Sequence, residues 1–145
     1  MFRKTIRTAL ITAAVCAFWF NDAASPFYLI LAAPTQSAGT AEEAFRSHRS
    51  GVMVTVAGTV DRLLADDNDG SPHQRFILRL ASGQTLLIAH NIDLSTRVPV
   101  QTSLQVKLRG QYEWTAKGGT VHWTHRDPQN KHEAGWIEIG GRRYN

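Results

Sequence analysis

An all-β domain, a small antiparallel barrel of five or six strands behind an N-terminal signal segment and one short helix, is the fold class the sequence predicts. Three observations lead there. Apolar and polar residues alternate with a period of two in several runs after Gly51. Clusters of Gly, Asp, Asn and Pro separate those runs at short intervals. Only one brief stretch, near residue 42, carries helix formers without that alternation.

The N-terminus stands apart from the barrel. Arg3, Lys4 and Arg7 precede an apolar run from Ala9 to Phe20, the basic and hydrophobic regions of a secretory signal. Asn21 and Asp22 then interrupt the run before "SPFYLILAA" resumes it. A bilayer span needs about 20 continuous apolar residues, and two polar residues at its middle are costly. A cleaved signal is therefore expected ahead of an inner-membrane anchor, with no stable membrane span afterwards and a periplasmic or secreted location. Small residues before the cut fit cleavage after Gly39 or Ala41, whereas a cut after Ala24 would leave Asp22 at the third position. The expected division is 1–41 for signal and linker and 42–145 for the barrel.

Processing changes the chemistry available. The single cysteine, Cys16, leaves with the signal, and Val15 stands where a lipobox needs a small residue. A metal site in the mature chain would have to use His, Asp, Glu or backbone oxygen. Residues 1–41 also hold three of the 16 Lys+Arg and one of the 12 Asp+Glu, so a formal charge of +4 falls to +2. Phosphate neutralisation dominates non-specific nucleic-acid binding, and a nearly neutral domain argues against that partner.

"PTQSAGT" reads as a processing region or linker, and "AEEAFRSHR" as a helix of two or three turns at most. "GVMVTVAGTV" is the first strand, where Gly58 signals a bulge or a barrel bend. "ADDNDGSP" is a turn. "HQRFILRL" and "TLLIAHN" are two strands joined by the tight "ASGQ" turn. A connection containing Pro99 leads to "SLQVKLRGQYEW", in which Leu104, Val106, Leu108 and Tyr112 alternate with polar residues. "TVHWTH" and "GWIEIGGRRY" complete the set. Strands of this number and spacing must close to hide their edges, and the interior glycines of the first and fourth suit a five-stranded barrel of the OB type. So small a barrel encloses no large cavity, and a site belongs on its face or rim.

The chemical signal is "HWTHRDPQNKH", residues 122–132, which holds three of the six histidines. Regular strand parity would put Val121 and Trp123 on the core side and His122 on the other. His125 and Asp127 form the best local pair, because the residue before a proline is extended; a carboxylate can share a metal with an imidazole or orient it. His132 can return to them beyond the "DPQN" turn, and His73 can reach them from the start of its strand. The candidate ligands are thus His73, His125, Asp127 and His132, followed by His122 and His90. The bland readings are that exposed His and Asp near a turn do no chemistry, and that His90, in phase with Leu86 and Ile88, is a hydrogen-bonded histidine at the edge of the core. His48 is expected to be exposed. Trp114, Trp136 and Asn91 are candidate ligand contacts, since OB barrels can present aromatic platforms; the tryptophans could equally plug the barrel ends. Nucleophile-elbow, P-loop and CxxC motifs are absent, and no serine stands in a nucleophile's context.

From about Gly51 to Tyr144 the chain resembles a family of exported bacterial proteins of unknown function, DUF3465. The resemblance rests on "HQRFIL", "IAHNIDL", "GQYEW", "GGTVHWTH", "DPQNKHEAGWIEIGGRRY" and above all "HWTH". The family pattern falls on His73, Phe76, His90, Asn91, Tyr112, Trp114, His122, Trp123, Thr124, His125, Asp127, Pro128, His132, Gly135 and Trp136. It implies a small OB-type barrel and no particular activity, and fold analogy supplies none.

Three functions remain open. One is an exported module binding a divalent metal, zinc or another, or a small polar or anionic ligand. Another is a metal-dependent hydrolase, a nuclease or phosphoesterase, in which a held ion activates water and a histidine acts as base. The shortage of acids beside the cluster, Asp127 and Glu133 apart, weighs against it. The last is an OB-type binder of single-stranded nucleic acid or oligosaccharide. A non-catalytic alternative is a histidine latch holding the C-terminal segment to the barrel. Oligomeric state is not legible.

Overall fold

The computed structural model describes residues 40–145; the expected signal lies outside the described residues. The elements are α1 (Ala41–Arg46), β1 (Val52–Leu63), β2 (His73–Leu80), β3 (Thr85–Asn91), β4 (Gln105–Glu113), β5 (Thr120–His122), β6 (Trp136–Ile139) and β7 (Arg142–Tyr144).

Helix α1 begins at Thr40, whose side chain accepts from the Glu43 amide at 3.1 Å, with Glu42 and Glu43 in the first turn. These are the oxygen cap and the acidic first turn that complement a helix N-terminus. Ala41 and Ala44 are fully buried.

Strands β1 to β5 close into a barrel in the order β1-β2-β3-β5-β4-β1, with β3 and β5 parallel and the other pairs antiparallel. The long β1 makes closure possible, pairing with β4 over Val52–Thr59 and with β2 from Gly58 onward. Gly58 sits at the hand-over, paired with both Leu80 and Val106. A Cβ there would stand 2.4 Å from the carbonyl oxygen of Arg79, so only glycine lets the two strands approach where the barrel bends. The core is filled by alternating inward residues, including Val54, Val60, Phe76, Leu78, Leu86, Ile88, Leu108, Tyr112, Val121 and Ile137.

The final barrel strand departs from the sequence reading of "TVHWTH" as one regular strand. β5 stops at His122, set opposite Gln111 of β4, and β6 resumes pairing with the same strand at Trp136, opposite Arg109. One residue, Gly110, separates the two pairings on β4, whereas residues 123–135 separate them on the other side. The segment is therefore a compact excursion out of one strand, an Ω-like loop whose ends meet. Trp123 turns the chain out with φ +52°, and Gly135 closes the base, its amide donating to the His125 carbonyl at 2.9 Å. A Cβ on Gly135 would lie 2.0 Å from the Trp123 carbonyl oxygen and 2.6 Å from that of Arg109.

The turn at Trp123 overturns the parity expected beyond His122. Trp123 is half-buried and outside the core, while Thr124 and His125 are buried. The last predicted strand is two, β6 and β7, a hairpin through Gly140 and Gly141.

Candidate functional site

Two depressions meet on the outer face of β2, β3 and β5. One, of about 640 Å³, reaches from the end of β1 across β2 and β3 to the β4–β5 loop, with Asp61, Arg62, Arg79 and Lys117 in its walls and Ile77 and Leu87 in its floor. The other, of about 490 Å³, lies beneath the β1–β2 loop, with Asp67, Asp69, His73, Arg75, Glu113 and His122 around Leu87 and Ala89. Leu87 and Thr120 line both, so they form one groove. The outward residues of β2, His73 to Arg79 in steps of two, run along it because a strand's alternate side chains share a face.

His73 opens β2 and binds the Ser71 carbonyl through Nδ1 at 2.6 Å, which leaves Nε2 as the acceptor of the neutral ring. His122, at the end of β5, has its Nε2 buried without a hydrogen bond, 3.5 Å from Oε1 of Glu113. Burial lowers the His122 pKa, and the Glu113 carboxylate offsets that only in part. Burial works to raise Glu113, but the hydrogen bond from Gln111, with Ser50 and His122 close by, outweighs it and holds the carboxyl below its usual range. Gln111 Nε2 donates to Glu113 at 2.6 Å. Arg75 reaches Asp67 at 3.3 Å and Arg79 reaches Asp61 at 2.6 Å.

A second cluster is built by the excursion. His132 stacks on Trp123 with ring centroids 4.1 Å apart and planes 10° from parallel; His125 meets the His132 ring edge-on at 5.6 Å, and His122 lies against Trp123 at 5.1 Å. His132 does come back to the "HWTH" stretch, as expected. Asp127 holds that return: its carboxylate accepts from the amides of Gln129 at 2.8 Å, His132 at 3.1 Å, and Lys131. Those bonds, that from Gln129 foremost, depress its pKa. His125 and His132 each direct Nδ1 to a backbone carbonyl, of Arg126 at 2.8 Å and Glu133 at 3.0 Å. The Nε2 of His132 is 3.8 Å from Asp127 Oδ2.

The structure thus brings His125, Asp127 and His132 together and places His73 in the groove with His122. Among the described residues no group of three or more His, Cys, Asp or Glu is arranged to hold a metal ion. His90 is fully buried, with Nδ1 at 2.8 Å from Thr124 Oγ1 and Nε2 at 3.3 Å from the Thr96 carbonyl. Both ring nitrogens are engaged, as the bland reading of His90 expected. It joins β3 to the excursion and to the β3–β4 connection, and burial lowers its pKa to about 4.

The three expected ligand contacts have structural partners. Asn91 caps its turn by accepting from the amides of Asp93 and Leu94 at 2.8 and 3.1 Å. Trp114 donates to the Phe45 carbonyl at 3.1 Å and packs against Phe45 and His48, sealing α1 to the barrel. Trp136 lies beneath Arg143 at 4.2 Å, with Lys107 6.0 Å from its ring. His48 is exposed, as expected. The pairing of Glu113 with His122 escaped the sequence reading. The signal for it was the β4–β5 register, which makes the two diagonal neighbours on one face.

A closed five-stranded barrel with an OB strand order and two added C-terminal strands defines a small OB-like β-barrel protein, with a polar groove across β2, β3 and β5. The chain belongs to the family described as "Protein of unknown function (DUF3465)", which matches residues 28–145. No curated protein matches it in sequence.

Proposed function

We propose that the protein is an exported binding module that holds a small polar ligand in the groove across β2, β3 and β5. The observation that carries this reading is the meeting of the two depressions at Leu87 and Thr120, between the β1–β2 and β4–β5 loops. An apolar floor with a few convergent polar groups is the usual composition of a small-molecule site. Export rests on the basic and apolar pattern of residues 3–20. Among the described residues no helix is long and apolar enough to cross a membrane. Amide shifts recorded by NMR while free amino acids, sugars and phosphate monoesters are added check the reading. A binder should move the signals of Ile77, Leu87 and Thr120. Shifts confined to the opposite side of the barrel would sink it.

A divalent metal at His125 and His132 is the second reading. It is favoured by the two Nδ1–carbonyl bonds, which leave both Nε2 atoms as acceptors in the way that metal-binding imidazoles are held. Titration of the untagged protein with Zn²⁺ should then raise the thermal midpoint, and His125→Ala should remove the effect while His48→Ala keeps it. An unchanged midpoint for the parent protein ends the metal reading.

A further inference from the structure

The charges along the groove are separated by sign. At the His73 end stand Asp67, Asp69 and Glu113 against Arg75. Arg75 is committed to Asp67, which leaves Asp69 and Glu113 without a neutralising cation. At the opposite end stand Arg62, Arg79 and Lys117 against Asp61. Arg79 is committed to Asp61, so Arg62 and Lys117 have no ion-pair partner among the described residues. Apolar Ile77, Leu87 and Ala89 lie between.

Building on the reading of the groove as a ligand site, we propose that it receives a short extended peptide, with its free amino terminus at the Glu113–His122 end and its carboxylate at the Arg62–Lys117 end. Length supports a peptide over a single amino acid. The strand pairings put Glu113, Thr120, Leu87, Ile77 and Arg62 on one row across β4, β5, β3, β2 and β1, so Glu113 and Arg62 stand four strand spacings apart, at most about 19 Å. An extended chain of about four or five residues approaches that distance, whereas the two charges of one amino acid lie much closer together. The amino end has a receptor in place. The Glu113 side chain is 37 % exposed beside His122, whose Nε2 lies 3.5 Å from Glu113 Oε1, and its carboxylate can accept from an ammonium group.

Charge complementarity also separates this occupant from the alternatives. A polyphosphate chain would have to pass Asp67, Asp69 and Glu113, and none of Trp114, Trp123 and Trp136 lines the groove to stack a base. A neutral oligosaccharide would make no use of charges sorted to opposite ends.

The test adds tetra-alanine to the full chain in three forms, with both termini free, N-acetylated and C-amidated, and follows the Leu87 and Thr120 amide signals. The free form is expected to bind, and each blocked form to bind roughly tenfold more weakly or worse, the loss expected for a charge-assisted hydrogen bond. Glu113→Gln should abolish the penalty of acetylation, and Lys117→Ala that of amidation. The comparison of blocked with free peptide needs no variant, so it stands even if a substitution disturbs folding. Equal binding of all three forms, or no binding of any, overturns the peptide. Groove shifts with octathymidylate or maltotetraose alone would overturn the peptide and leave the groove standing as a ligand site; silence from every probe would overturn both.

Discussion

His90 shows how one residue type can look like a ligand and act as a fastener. Its ring is fully buried between Thr124 and Thr96, and burial holds its pKa near 4. The unfolded chain takes up this proton near pH 6.5, so in the window between pH 6.5 and 4 the unfolded state binds more protons than the folded one. Stability from His90 is therefore complete above pH 6.5 and lost as pH falls towards 4, by about 3 kcal/mol at the bottom of that window. His122, also shifted down by burial, acts in the same direction. Urea unfolding at pH 7 and pH 4.5 should show the loss in the parent protein and a smaller difference in His90→Gln; the same pH dependence in both would disprove the assignment. Asp127 illustrates the converse. Its carboxylate was the sequence's best metal candidate beside His125, yet it caps three backbone amides of its own loop. Asp127→Ala should speed hydrogen exchange at the Gln129, Lys131 and His132 amides while leaving β1 and β4 protected. Loss of protection across the whole barrel would mean that the loop does not open on its own.

At the scale of elements, the excursion between β5 and β6 is the feature that alternation could not disclose. The same face-by-face pattern that correctly gives β2 and β3 assumes a strand without interruption, and a single left-handed residue, Trp123, ends that assumption. The excursion also depends on a glycine at its base. Gly135→Ala would press a methyl group onto two carbonyl oxygens, and the expected destabilisation is roughly 2–4 kcal/mol. Gly70→Ala is the matched control: its φ is +75° but no atom lies within 4 Å of the added carbon, so the expected cost is about 1 kcal/mol. Denaturant midpoints of the two variants measure the difference, and equal midpoints would show that the base of the excursion can relax. Helix α1 is anchored by the buried Ala41 and Ala44 and by the bond from Trp114 to the Phe45 carbonyl. That packing explains why Trp114, legible as an aromatic near basic residues, seals the barrel's end and does not line the groove.

For the molecule as a whole, a ligand that binds only the folded state must stabilise it by mass action. An occupied groove should raise the thermal midpoint with increasing ligand, and variants at Glu113 or Lys117 should reduce that rise, whereas His48→Ala should not. A midpoint that rises equally in all of them would place binding elsewhere. The sequence by itself determined the first four strands, their inward faces, the bend at Gly58 and the family, because alternation, turn residues and short motifs are local properties of the chain. It also picked out the histidines, though not their roles. Only the tertiary structure decided that His73 joins His122 and Glu113 in a groove while His132 stacks on Trp123 and meets His125 edge-on. Those partnerships depend on barrel closure, on the β4–β5 register and on where one strand is interrupted. Each brings together residues far apart in sequence through backbone geometry that a period of two cannot encode.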